Sequence, residues 1–245
     1  MIKLELNPCP DRLTPELQAE LTLEYKNTEK LVWNIDWLKD AIYNLSYGKC
    51  CYSEIRLREE SKYMEIEHFH PKKPYQNEVM LWGNLFPSCK KCNATKLNHD
   101  TIIEPIVNPF IDNPKDYLYF KNYRYFPKNN SQIGKTTINV LALNDRNHFV
   151  TTRYKIGNEI IERLLDFVES IDSLDIARKR PRYITRLKSL LELGNRKEEY
   201  AALVSTTILM DDNFIEIERI LKVKALWDDE FDSLKNELEF CALIE

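Results

Sequence analysis

Glycine is scarce, with 5 residues in 245, while hydrophobic residues make up 43% and aromatic residues 11%. That balance excludes collagen-like repeats, Gly-rich linkers and wholesale disorder, and leaves a folded chain with a real core. No apolar run reaches the roughly 18 to 20 residues that a membrane-spanning helix needs. The opening segment, Met1-Ile2-Lys3-Leu4-Glu5-Leu6-Asn7-Pro8, lacks the basic patch and apolar core of an export signal, so the expected location is the cytoplasm. Six cysteines are too few for a disulfide scaffold. In a reducing compartment, close pairs of them point instead to metal binding or redox chemistry. Two close groups exist, Cys50-Cys51 and Cys89-x-x-Cys92, while Cys9 and Cys241 stand alone. A nucleotide-binding loop is also missing. Ile133-Gly134-Lys135-Thr136-Thr137 has the tail of one, but Asn129 stands where its first glycine belongs and no strongly apolar strand precedes it. A helix start running into Ile138, Leu141 and Leu143 is predicted there.

The net charge of −4 is unevenly spread, at −3 over residues 1–45, +2 over 46–100, +4 over 101–157 and −7 over 158–245. A positive centre suits a polyanion, and acidic flanks discourage indiscriminate phosphate binding or serve a protein partner. Thr14-Pro15-Glu16 starts a first helix that runs to about Asn27, and a second covers about 34–46. Residues 117–126 alternate as a hairpin of two short strands broken near Lys121-Asn122. Helical periodicity dominates beyond about residue 146, from Ile160, Leu164 and Val168 onward, with further segments at 181–193, 196–210 and 213–241. The expected class is α+β and mainly α-helical. A nuclease-like domain over 1–150, with its core at 47–100, would precede a helical region over 151–245.

The chemistry concentrates between Lys49 and Lys96. Cys89 and Cys92 have the spacing that brings two thiolates onto one tetrahedral ion, and Cys50 supplies another jaw. Between the jaws lies Glu67-His68 on an extended segment, where neighbouring side chains point to opposite faces. Neutral His68 suits a general base near pH 7. The Glu67 carboxylate and the Asn93 amide oxygen suit Mg²⁺ or Mn²⁺. Phosphodiester hydrolysis needs these parts, a base for water and a cation for the charge that develops at phosphorus.

The order Cys … Glu-His-x-x-Pro … Asn-Leu … Cys-x-x-Cys-Asn-x-x-Lys resembles the HNH (ββα-metal) endonuclease family over roughly residues 47–100. Within it, Cys-Cys-Tyr-Ser-Glu, Glu-His-Phe-His-Pro-Lys and Trp-Gly-Asn-Leu are similar to the PtuB-like HNH subunits of Septu-type and retron-associated antiphage systems. The resemblance implies a ββα-metal finger between N-terminal helices and a helical tail. It implies His68 as general base, Glu67 and Asn93 as ligands of one catalytic Mg²⁺ or Mn²⁺, and Asn84 as the residue that ties the loop and orients the base. Lys72, Lys73, Lys90, Lys91 and Lys96 would contact backbone phosphates. DNA would be the substrate, and a separate PtuA-like ATPase would be the partner in a hetero-oligomer, docked on the acidic tail.

Ser53 stands where the family usually has a second cysteine, which leaves Cys50, Cys89 and Cys92 for structural zinc. Either Cys51 or His99 completes the tetrahedron, or packing replaces the zinc. His70 either assists at the site or caps the turn before Pro71. The basic run Arg178-Lys179-Arg180, with Arg182, Arg186 and Lys188, is a solvated helix face or a phosphate or partner contact. Two other functions share these residues: an RNA- or tRNA-directed nuclease, and a non-catalytic zinc-finger-like module that only grips nucleic acid.

Overall fold

A computed structural model describes residues 1–59 and 63–245. The chain is α+β and mostly helical, with 52% helix and 8% strand. Helix α1 (Pro15–Thr28) begins as its sequence dictates: Thr14 Oγ1 accepts the Leu17 amide at 3.2 Å, Pro15 occupies the first turn and Glu16 adds negative charge there. Helix α2 spans Asp36–Asn44. The chain then folds back through an isolated bridge between Lys49 and Arg56 and enters β1 (Met64–His68). This strand pairs antiparallel with β2 (Leu85–Cys89), Glu67 opposite Phe86 and His68 opposite Leu85. Cys89 caps α3 (Lys90–Lys96), which follows β2 without a break. These three elements are the expected ββα finger.

The aromatic hairpin is β3 (Leu118–Lys121) and β4 (Arg124–Pro127). Its two-residue loop, Asn122 and Tyr123, has positive φ at both positions (49° and 63°), which matches the twist of the strands. Asn tolerates that conformation, whereas Tyr123 is held there by packing. Its hydroxyl donates to Asn158 at 2.7 Å, and a Cβ at Gly157 would sit 2.2 Å from its ring. Helix α4 (Gln132–Val140) starts at the Gly-Lys-Thr stretch, with Ser131 Oγ capping the Gly134 amide at 3.1 Å. A Cβ at Gly134 would lie 2.3 Å from the Tyr117 carbonyl, so this glycine serves close packing against the hairpin rather than a phosphate.

The remainder is α5 (Thr151–Glu169), α6 (Arg180–Glu192), α7 (Ala201–Met210), α8 (Asp212–Val223) and α9 (Asp229–Cys241). The expected segments at 196–210 and 213–241 need correction. Helix α7 starts only at Ala201, after Tyr200 takes positive φ (52°), and the longer segment breaks at Ala225 (φ 53°). Asp228 then caps α9 by accepting the Phe231 amide at 3.0 Å. Periodicity carries across such a break because both halves bury apolar residues, but two left-handed residues cannot continue a helix.

Two apolar clusters result. One joins Met1–Leu4, α1, α2, the finger, the hairpin and α4, and the other fills the space among α5–α9. Helix α7 belongs to both, with Leu203 in the first and Val204 and Ile208 in the second. A buried charge network crosses the same boundary. Glu54 pairs with the Met1 amino group, lies 3.8 Å from Lys49 Nζ and accepts the Ala202 amide at 3.2 Å. Lys49 donates to the Arg196 and Glu198 carbonyls, both at 2.7 Å. Burial alone would push the Glu54 carboxyl up, but the amino group and Lys49 outweigh it and hold it below its ordinary value. Glu54→Ala leaves buried cations without their anion, so we expect a loss of about 3–5 kcal/mol in urea unfolding. Glu198→Ala, at an exposed pair with Arg56, should barely shift the midpoint.

Candidate functional site

The loop after α2 and the start of α3 bring three thiols together. Cys50, Cys89 and Cys92 are buried with all sulfurs within 4.8 Å of one another. The Ser53 amide donates to Cys50 Sγ and the Cys92 amide to Cys89 Sγ, each at 3.5 Å. Burial would raise the Cys50 thiol, but hydrogen bonds from Cys89, Cys92 and Ser53 bring it well below the ordinary thiol range. Donation to Cys50 pushes Cys89 up to about 12, and burial raises Cys92. The triad is a soft donor set that suits zinc on full deprotonation. Ser53 lies against the cluster, its Oγ 3.6 Å from Cys89 Sγ. Among the described residues, Cys51 does not join the cluster, and His99 is turned to Glu104, its Nε2 lying 2.7 Å from that carbonyl.

Strand alternation sends Glu65 and Glu67 to one face of β1 and Ile66 and His68 to the other. Lys96 of α3 sits on the Glu67 side. Its Nζ lies 2.5 Å from Glu67 Oε1, an ion pair rather than an aligned hydrogen bond, and donates to the His68 carbonyl at 2.8 Å. Burial pushes the Glu67 carboxyl up to about 7 against the opposing charges of Lys96 and Lys72. The reading of Lys96 as a phosphate contact is therefore corrected: its side chain is fully buried, because a carboxylate inside the protein needs a partner cation. Asn93 is half-buried one turn earlier, and its Nδ2 donates to Glu65 Oε2 at 2.6 Å. On this face, then, Glu67 is paired with Lys96 and Asn93 with Glu65.

On the other face, His68 Nε2 lies 3.0 Å from the Val79 carbonyl. A carbonyl can only accept, so Nε2 carries the proton and Nδ1 is left as a bare lone pair. That Nδ1 is buried and has no hydrogen-bond partner among the described residues. Trp33, from the loop between α1 and α2, meets the imidazole edge-on at 4.5 Å, and Lys72 Nζ stands 5.1 Å above the indole. Burial, helped by the Lys72 charge, pushes the His68 pKa down to about 3.

Asn84 ties this face together. Its Oδ1 accepts the His70 amide at 2.7 Å, and its Nδ2 donates to the Glu78 and His70 carbonyls at 3.0 and 3.3 Å. The Phe69 amide donates to its backbone carbonyl at 3.0 Å. One buried amide therefore closes the loop from residue 69 to residue 84, whose Val79 fixes the His68 tautomer. His70 pairs through Nδ1 with Glu78 Oε2 at 2.5 Å. Lys73 and Lys90 are exposed, whereas Lys91 pairs with Asp145 at 2.9 Å. In the basic run, Lys188 pairs with Asp228 and Glu230, and Arg180 donates to the Leu174 carbonyl at 2.5 Å. Sequence reasoning did not find Trp33 or Val79, and no local pattern marks either. It also passed over Glu65, although the alternation with Glu67 was available.

Fold and site together define a class: a mainly helical protein carrying a three-thiol ββα finger with a buried Glu-His pair. No family model matches the chain. Septu protein PtuB of Bacillus thuringiensis is 38% identical over 251 residues, covering 100% of this chain and 96% of that protein. Septu protein PtuB of Bacillus mycoides (strain KBAB4) is 27% identical over 170 residues, 57% of each. The chain belongs to the Septu PtuB family. Among the described residues, no helix is long and apolar enough to cross a membrane.

The tautomer and burial of His68 make its effect on stability pH-dependent. Its pKa falls from 6.5 to about 3 on folding, so its contribution is complete above pH 6.5 and is lost as pH falls toward 3. Glu67, raised by folding, acts oppositely and is common to both proteins compared. The Tm of the wild type should fall more steeply than that of His68→Gln as pH drops from 6.5 to 4. Parallel Tm profiles would show that His68 is not a buried neutral base.

Proposed function

We propose that this protein is the metal-dependent HNH-type nuclease subunit of a Septu antiphage defence system, cutting phosphodiester bonds of DNA in company with a PtuA-like ATPase. The observation that carries the reading is His68: a neutral imidazole, oriented through Nε2 by Val79, with an unpartnered Nδ1 and a buried carboxylate, Glu67, next to it in the chain. The family membership supports the Septu assignment.

His68 Nδ1 removes the proton of the attacking water, and the Val79 carbonyl stabilises the imidazolium through Nε2–H. Asn84 keeps Val79 in place by closing its loop. Glu67 and Asn93 would hold a Mg²⁺ or Mn²⁺ ion, which supplies charge neutralisation at the phosphorus oxygens and leaving group when bound. Lys72 is the group positioned to couple substrate to base. Its ammonium depresses the His68 pKa in the closed site. Moving onto a substrate phosphate would relieve that repulsion and raise the base toward the working pH. Lys73 and Lys90, both exposed, supply further sequence-independent phosphate contacts. The nuclease part is assigned to residues 1–150 and partner docking to the acidic residues 151–245.

A second reading, a finger that binds nucleic acid without cutting it, draws on the burial of His68 and the Glu67–Lys96 pair. The test is incubation with supercoiled plasmid and with transfer RNA in Mn²⁺ or Mg²⁺, with and without the ATPase. Cleavage should fall by at least about 10²-fold in His68→Ala, the scale of a lost general base. Cleavage of transfer RNA alone would move the substrate to RNA. Equal nucleic-acid binding by both proteins, with no cleavage under any condition, would support the binding module instead.

Zinc at the three-thiol cluster is the structural part of the proposal. The protein should carry about one zinc per chain and lose thermal stability to a strong chelator. Ser53→Cys, which puts a fourth sulfur beside Cys50 and Cys89, should slow zinc release to a chromogenic chelator.

A further inference from the structure

We infer that Glu65 is a positioning residue of the divalent-ion site, holding the Asn93 amide so that its oxygen, not its nitrogen, is left to meet the ion. The inference rests on the reading that Glu67 and Asn93 hold that ion. It begins from the parity of β1: Glu65 and Glu67 lie two residues apart and share the face covered by α3. They do not do the same thing there. Glu67 is buried and paired with Lys96, whereas half-buried Glu65 accepts a hydrogen bond from Asn93 Nδ2 at 2.6 Å.

The chemistry of that bond fixes the amide. An ionised carboxylate has no proton to give, so it can face only the NH₂ end of a carboxamide. The oxygen and nitrogen of an amide diverge from one carbon, so anchoring Nδ2 on Glu65 turns Oδ1 away from Glu65. Among the described residues, Asn93 Oδ1 has no hydrogen-bond donor. An unanchored asparagine presents either end, and the NH₂ end repels a cation. Anchoring also restricts the Asn93 side chain before the ion arrives, which lowers the entropy lost on binding. Glu65 therefore acts on the ion through Asn93, much as outer carboxylates orient ligating histidines.

The test uses the full chain and Mn²⁺ alone as probe, with affinity read by calorimetry and, separately, the Mn²⁺ concentration that half-saturates plasmid cleavage. Glu65→Ala should weaken Mn²⁺ binding by about tenfold or more and raise the half-saturating concentration equally. Cleavage at saturating Mn²⁺ should stay within a few-fold of wild type. Glu65→Gln should bind nearly as wild type, because the Gln amide oxygen still accepts from Asn93 Nδ2. The double variant Glu65→Ala with Asn93→Asp should also recover, because both oxygens of a carboxylate are ligands and none needs orienting.

Glu67→Gln separates the two layers of the argument. If Glu67→Gln binds Mn²⁺ as tightly as wild type, the ion site itself is misassigned. If Glu67→Gln loses binding but Glu65→Ala does not, the site stands and Glu65 has no part in it. Equal loss in Glu65→Ala and Glu65→Gln would make Glu65 a ligand by charge and overturn the positioning role. Should Glu65→Ala fail to fold, Glu65→Gln and the double variant still decide between these outcomes.

Discussion

The site depends on the register of a five-residue strand. In β1, Glu65 and Glu67 face α3 while His68 faces the loop closed by Asn84. A slip of one residue against β2 would carry the carboxylates to the side of Trp33 and the imidazole into Lys96. Two short strands cannot hold a register by hydrogen bonds alone, because an isolated hairpin of this size is marginal in water. Here the register is locked from both faces. Lys96 reaches across from α3 to Glu67 and to the carbonyl of His68, and Cys51 donates its amide to the Pro87 carbonyl at 3.0 Å.

The same logic explains why a small finger is built into so large a helical frame. The loop that follows α2 has a thiol at one end, Cys50, and the buried Glu54 at the other. Cys50 joins the cluster with α3, and Glu54 accepts the amide of Ala202 in the first turn of α7. Lys49 reaches the carbonyls of Arg196 and Glu198 just before that helix. Packing and ion pairs thus hold the loop of the knuckle alongside its three thiols. The replacement of a cysteine by Ser53 is tolerable in that setting, whereas an isolated finger would depend on a full ligand set to fold.

How much of this is legible in the sequence depends on how local each cause is. The cap at Thr14, the aromatic hairpin and the thiol spacing are set by neighbours in the chain, and the structure follows them. Pairing Asn84 with the loop of the base came from the resemblance; in the structure its side chain bonds to His70 and Glu78. The break between α8 and α9 was passed over, because both helices bury one apolar face and the five residues between them hold no Gly or Pro; the cap at Asp228 was the signal available. Lys96 was misread for a different reason. A lysine three residues after Asn93 looks like a solvated cation, and only the depth of Glu67 draws it inside. Trp33 lies 35 positions before His68, and nothing in its own neighbourhood marks it as the wall of an imidazole pocket.

The burial of His68 bears on mechanism as well as on stability. A base whose pKa is about 3 holds a neutral lone pair at any physiological pH, yet it is too weak to share a proton well in a transition state. Burial depresses it most, and the Lys72 and Lys96 ammoniums add to that. In the proposed reaction, a substrate phosphate near the imidazole would bring negative charge toward it and would compete for Lys72. Each change would favour the imidazolium, so the proposed base would strengthen as an anionic substrate binds. Under the proposed nuclease function, a base held this way would be weak in the free protein and stronger against a bound polyanion.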